Sequence, residues 1–176
     1  MSILPRAALL VAALSLAACA NPDRYDATGG AGMGPGSGAG AAGGVIPGSA
    51  GDPASPAYFQ QSVGDRVLFE VDQSSLTAAG RATLDGQSNW LLTNTDYQAV
   101  IEGHADEQGT REYNLALGAR RANTVREYLI SKGVAGSRLK TTSYGKERPI
   151  EICSEESCYA KNRRAVTVIA AGGLTS

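Results

Sequence analysis

The sequence predicts an α/β domain: a two-layer sandwich of order β-α-β-α-β-β with a four-stranded mixed sheet. Three observations predict it. Strand-like runs recur at Val67–Val71, Ala99–Glu102, Leu139–Tyr144 and Ala165–Ala170. Helical patterns separate the first three of these runs, the alternation expected of a sheet with helices packed on it. The 119 residues from Tyr58 to Ser176 are enough to bury one core.

Each element has a local reason. V-L-F-E-V (Val67–Val71) is a short apolar run suited to a strand. Thr77 can cap a helix that runs to about Leu92, with Leu84 and Leu91 on one face. A-V-I-E (Ala99–Glu102) forms the second strand. A second helix is expected from about Arg111 to Lys132, closed by Gly133. Its apolar stripe is expected at Leu115, Ala119, Ala122, Val125 and Leu129. Leu139–Tyr144 is the third strand, and Ala165–Ala170 the fourth, where Val166 and Val168 alternate with Thr167.

The chain ahead of this domain is of another kind. Arg6 precedes an apolar run from Ala7 to Ala18 that is too short to span a bilayer but suits the core of a signal peptide. The run ends in L-A-A-C, so residues 1–18 are expected to be a lipoprotein signal, and cleavage would leave Cys19 as the lipidated N-terminus. An ordinary secretory signal with a coincidental cysteine is the alternative. Ala20 follows, not aspartate, which favours the outer membrane over the inner. Residues 19–57 are expected to form the lipidated N-terminus and a flexible tether, since Gly29–Gly51 holds eleven glycines in 23 residues. Such a leash reaches roughly 35 Å on average. It would serve a mechanical search or act as a plain spacer. The folded domain is expected at residues 58–176.

Charge excludes some functions and suggests others. The net formal charge of −1 argues against a general nucleic-acid binder. Residues 58–110 carry two basic and eight acidic side chains, whereas residues 111–176 carry twelve basic and six acidic. The two halves either pair with each other in the fold or meet at a zwitterionic ligand.

The segment richest in chemistry is I-E-G-H-A-D-E-Q-G-T-R-E-Y-N (Ile101–Asn114), followed by L-G-A-R-R-A-N-T-V (Leu117–Val125). Asp106 sits in a loop bounded by Gly103 and Gly109, between a strand and a helix start, where side chains and N–H groups can face a ligand. At 100° per residue, Arg120 falls about 170° from the apolar stripe and faces water. Arg121 falls about 90° from it, on the shoulder where a groove would form, and Asn114 shares that side. Arg126 falls close to the stripe, and its head is expected to snorkel out to water.

These blocks, together with S-Y-G-K-E-x-P (Ser143–Pro149) and Y-x-K-N-R-R-A-V (Tyr159–Val166), closely resemble the OmpA-like C-terminal domain family, in particular its wall-anchoring lipoproteins. The resemblance covers roughly residues 65–170. It implies an outer-membrane lipoprotein that binds peptidoglycan non-covalently and takes part in the Tol envelope system, with TolB as periplasmic partner. It implies that Asp106 meets the ammonium, and Arg121 the carboxylate, at the free end of meso-diaminopimelate in the wall's stem peptide. Arginine suits that role because its planar fork can hold a carboxylate with two hydrogen bonds. In F-E-V-D (Phe69–Asp72), Asp72 matches an acidic residue at the rim of the pocket, while Glu70 replaces the family's aspartate. Asn114 completes the expected binding set.

Other residues have plainer readings. His104 is the only histidine, so a metal cage is poorly supplied and a structural hydrogen-bonding role is expected. Adjacent Asp106 and Glu107 could serve as the acid–base pair of a glycan hydrolase, the competing functional class. A wall anchor of this family outside the Tol system is a third possibility. Cys153 and Cys158, left over once Cys19 is lipidated, are expected to form a disulfide in the oxidising periplasm. That bridge is expected to be a local staple lying away from the Asp106 block, and no cofactor or metal is expected.

Overall fold

The computed structural model describes residues 45–171, all within one compact unit. The expected signal peptide, Cys19 and most of the glycine-rich stretch lie outside the described residues. Ordered structure begins ahead of the boundary expected at Tyr58. Ser55 is buried, donates to Ser49 O at 2.6 Å and accepts from Tyr58 N at 3.0 Å. Trp90 Nε1 donates to Pro53 O at 2.7 Å, which ties this segment to the core.

The helical turn α1 (Pro56–Tyr58) runs into a π-helical turn, Phe59–Gly64. Then follow β1 (Arg66–Leu68), α2 (Ala78–Thr93), β2 (Tyr97–His104), α3 (Arg111–Ser131), β3 (Leu139–Gly145), α4 (Glu156–Asn162) and β4 (Arg164–Ala171). The sheet order is β1-β4-β2-β3. β2 pairs parallel with β3 and antiparallel with β4, which in turn pairs antiparallel with β1. The mixed four-stranded sheet is therefore as the sequence predicts. Two features differ. α4 intervenes before the last strand, where no helix was expected. β1 stops at Leu68 because the chain bends away at Phe69 to make a turn closed by Gln73 N donating to Glu70 O at 3.1 Å.

The expected cap at Thr77 is in place, and Thr110 provides a second one that sequence reasoning did not name. Thr77 accepts from Gly80 N at 3.0 Å and Thr110 from Tyr113 N at 3.2 Å, which satisfies helix N–H groups that would otherwise lack partners. Phe59, Leu84, Trp90, Leu91, Ile101, Val125 and Leu129 form the apolar core, with the Phe59 and Trp90 ring centres 4.9 Å apart.

The face that α3 buries differs from the expected stripe. Ala122, Val125 and Leu129 are buried as predicted, but Leu115 is 43% exposed and Ala119 is exposed too. In the first half of the helix, Asn114, Leu117, Gly118 and Arg121 face inward instead. The cause is backbone contact. A Cβ on Gly103 of β2 would lie 1.8 Å from Gly118 O, and one on Gly118 would lie 2.4 Å from Ser143 Oγ. Only glycine at both positions lets helix and strand approach so closely. Ser143 Oγ also donates to Leu115 O at 2.6 Å. This contact sets the helix phase, and polar residues take the inward places. Arg126 does not reach for water either: its Nε donates to Leu139 O at 3.3 Å.

Candidate functional site

The site lies at the C-terminal ends of β2 and β3. After His104 the chain turns through Ala105, whose N–H donates to Gly145 O at 2.8 Å. Asp106 follows, 8% exposed. Its Oδ1 accepts from Gln108 N at 3.3 Å, an Asx-type bond that shapes the loop. Gly109, at φ +90°, completes the turn into Thr110 and α3. Lys146 Nζ donates to Gly109 O at 2.7 Å and fastens the loop from the β3 side.

Asp72 approaches from the turn after β1. It holds the left-handed conformation (φ 56°), which aspartate tolerates better than most residues. Tyr113, in the first turn of α3, donates its hydroxyl to Asp72 Oδ1. Asn114 is 1% exposed, and its Nδ2 donates to Gln108 O at 2.7 Å. Val71, Asp72, Asp106, Gln108, Asn114 and Leu117 line a groove of about 290 Å³. Three of the residues expected at the site, Asp106, Asp72 and Asn114, thus share one surface.

Arg121 is placed differently. Helical spacing predicts a groove shoulder, but its side chain is fully buried beneath the loops. Nε donates to Gln73 O at 2.8 Å, Nη1 to His104 O at 2.7 Å and Nη2 to Glu70 O at 3.2 Å. One guanidinium therefore joins the turn after β1 to the end of β2, and two of its five N–H donors remain uncommitted to these carbonyls. Burial pushes its pKa down to about 10, against the opposing charge of Asp106; Arg163 adds to the fall, and Asp72 and Tyr113 resist it. It is a cation at neutral pH.

The ion-pair partner of Asp106 is Arg163, with Nη1 3.2 Å from Oδ2. Arg163 is 4% exposed; its Nε donates to Phe69 O at 3.2 Å and its Nη2 to Glu156 Oε1. Burial works to lower the Arg163 pKa, but the bonds to Glu156 and Asp106 outweigh it and hold the pKa above the ordinary value. Sequence reasoning missed this residue. Its signal was the N-R-R block (Asn162–Arg164), read as part of the resemblance and given no role. Arg120, by contrast, is exposed as predicted, with its guanidinium 5.9 Å from the Tyr113 ring centre.

His104 also departs from its expected role. It is 2% exposed and neither ring nitrogen has a hydrogen-bond partner. The ring stacks on Tyr144 at 5.6 Å. Burial, aided by the charges of Arg164 and Arg148, lowers its pKa to about 4, so it is neutral at pH 7. Among the described residues no group of His, Cys, Asp and Glu is placed to hold a metal ion. The expected Cys153–Cys158 bridge is formed, with the Cα atoms 6.0 Å apart. No helix among the described residues is long and apolar enough to cross a membrane.

The fold and this loop cluster define a class of protein. Residues 68–163 match the model of the OmpA family. The chain belongs to the OmpA family, on the branch whose curated members are named peptidoglycan-associated lipoproteins. It is 51% identical to the protein of that name from Mesorhizobium japonicum, over 93% of this chain and 90% of the relative. It is 50% identical to the one from Rhizobium meliloti, over 93% and 86% respectively. Among solved structures it resembles the peptidoglycan-associated lipoprotein of Burkholderia pseudomallei. That likeness has a TM-score of 0.61 and 36% identity, and covers 69% of this chain and 98% of the other. The C-terminal domain of Helicobacter pylori MotB shares the fold, with a TM-score of 0.57 and 21% identity over 62% of this chain and 86% of that one.

Proposed function

We propose that the chain is an outer-membrane lipoprotein that binds peptidoglycan non-covalently and links the outer membrane to the cell wall. The ligand end is the uncrosslinked terminus of meso-diaminopimelate, which carries an ammonium and a carboxylate on one carbon. The observation that carries this reading is the groove that Asp106, Asp72 and Asn114 line together, with the buried Arg163 paired to Asp106 and the buried Arg121 bonded to the carbonyls of the two loops that carry these residues. The carboxylates answer the ammonium, and Asn114 lines the same groove. The ligand carboxylate is assigned to Arg121, which lies buried behind the loop carbonyls and would meet it through the N–H groups not committed to them. Charge-assisted bonds contribute about 1.5–3 kcal/mol each, so the pair could supply much of a micromolar affinity.

The likeness to named peptidoglycan-associated lipoproteins supports the wall as partner. In this reading Cys19 bears the lipid, residues 1–18 are its signal, and the residues between 20 and the domain, expected to reach 57, form the tether. The chain then acts in the Tol–Pal system, with TolB as partner, in envelope integrity and cell division. It works by binding, without an enzymatic step. Asp106 is engaged in an ion pair with Arg163 and Glu107 beside it is exposed, an arrangement that suits a binding rim.

Pull-down with purified sacculi is the test. The wild-type chain is expected in the pellet, and Asp106→Asn in the supernatant. Equal pelleting of both would overturn the site, and a clear zone on a zymogram would overturn the binding class. For the anchor, Cys19→Ala is expected to move the chain to the soluble fraction after lysozyme treatment. Retention in the membrane pellet would contradict lipidation.

A further inference from the structure

The loop between β3 and β4 is remote from the Asp106 block in sequence, yet the fold joins it to the binding groove. The Cys153–Cys158 bridge closes a loop that contains Glu155, at the N-terminus of α4, and Glu156, its first helical residue. The other end of α4 is fastened by Asn162, which is 1% exposed. Asn162 Oδ1 accepts from Ile150 N at 2.9 Å and from Glu151 N at 3.2 Å, and its Nδ2 donates to Glu151 O at 2.8 Å. Between these two fixed ends Glu156 reaches Arg163, whose other nitrogens bind Asp106 and Phe69 O. One buried cation thus serves two carboxylates. The Asp106 side chain is 11% exposed and that of Glu156 is 66% exposed.

We infer that Glu156 is a positioning residue for the groove: held by the Cys153–Cys158 bridge, it shares Arg163 with Asp106 and so leaves Asp106 with charge to offer a ligand ammonium. The inference rests on the wall-binding reading above. Two carboxylates and one guanidinium carry a net charge of −1, whereas Asp106 and Arg163 alone would be a compensated pair. A cation entering the groove is attracted to the first arrangement and much less to the second. The bridge matters because Glu156 is mostly in water, where a free side chain would spend much of its time away from Arg163.

The experiment titrates the full chain, in detergent micelles, with two stem peptides. One has the free meso-diaminopimelate end, and the other has that terminal amine acetylated. Glu156→Gln keeps the size of the side chain and its acceptor for Arg163 but removes the charge. It is expected to weaken binding of the free-amine peptide roughly 2- to 5-fold, as for one exposed charge. It is expected to leave the acetylated peptide unchanged, and its effect should shrink as salt is raised. Cys153→Ser with Cys158→Ser should weaken binding in the same direction by no more than this factor, and should add nothing on top of Glu156→Gln. Equal wild-type binding of the two peptides would overturn the groove reading itself. If the wild type discriminates but Glu156→Gln matches it, or loses both peptides equally, the role of Glu156 is overturned and the groove stands. Should the serine pair fail to fold, Glu156→Gln decides alone.

Discussion

The two ends of this domain are built on different physics. Beneath α2 the core is mainly apolar: Phe59, Leu84, Trp90 and Leu91 pack in one cluster, the Trp90 indole donates to Pro53 O, and buried Gln87 is satisfied by Gly64 O and Thr167. Beneath the loops after β1 and β2 the interior is polar. Arg121, Arg163, Asn114 and Asp106 are all at least nine-tenths buried there and are held by named carbonyls and carboxylates. A truncation at the apolar end, of Leu84 or Leu91, costs packing and leaves a cavity, but strands no polar partner. The polar end depends on every donor finding its acceptor, since a buried polar group left unpaired costs about 1–3 kcal/mol.

Matched truncations give the strongest way to break this comparison. Trp90→Ala and Arg121→Ala are each expected to lower stability by about 3–5 kcal/mol, read from urea unfolding. Trp90→Ala should leave the affinity of the folded fraction for sacculi unchanged. Arg121→Ala should abolish it, because the loop carbonyls lose their anchor together with the charge. Arg121→Lys should also fail, since an ammonium cannot span three carbonyls on two loops. Equal effects of Trp90→Ala and Arg121→Ala on binding would remove the distinction between the two ends.

Gly118→Ala should come next, at roughly 3 kcal/mol, because its Cβ would lie 2.8 Å from Gly103 O. Its unfolding midpoint in urea checks this. It should also weaken binding, as it lifts the first half of α3, which carries Asn114, from the strand.

A pH series sharpens the account of the polar end. His104 has a folded pKa lowered to about 4, against about 6.5 when unfolded, so the unfolded state takes up its proton first. The contribution is complete above pH 6.5 and is lost as pH falls toward 4, by roughly 3 kcal/mol in all. Asp85, whose carboxyl is held low by Lys132 and Tyr128, acts below that window. Urea midpoints at pH 7, 5.5 and 4 should fall steadily in the wild type and much less in His104→Gln. At the small end, Arg120→Ala should change stability by less than about 0.5 kcal/mol and leave wall binding intact, as expected of an exposed helix arginine.

The same contrast explains what could be read before any coordinates. The apolar end was legible because periodicity reports burial when the buried residues are apolar: Leu84, Leu91, Val125 and Leu129 were placed correctly. Capping chemistry placed Thr77 at the start of α2. On α3 the same logic failed between residues 114 and 121. There the inward face is Asn114, Gly118 and Arg121, and a hydrophobicity pattern assigns that face to Leu115 and Ala119. The missing signal was the glycine pair, Gly103 and Gly118, whose backbone contact outranks the pattern. The link from Glu156 through Arg163 to Asp106 spans 50 residues of chain between its two carboxylates, so no local spacing could reveal it. The family resemblance pointed to Asp106 and Asp72 and helical spacing to Asn114, and the three line one groove.

The central claim is that Asp106, paired to the buried Arg163, receives a ligand ammonium. Isothermal titration of the full chain with a stem peptide ending in free meso-diaminopimelate tests it most directly. Binding is expected to be micromolar for the wild type and at least about 100-fold weaker for Asp106→Asn, as for the loss of one partner in a desolvated charge pair. Acetylation of the peptide's terminal amine should weaken the wild type to the same degree and cost Asp106→Asn nothing more. An Asp106→Asn chain that binds the free-amine peptide as tightly as the wild type would contradict the account.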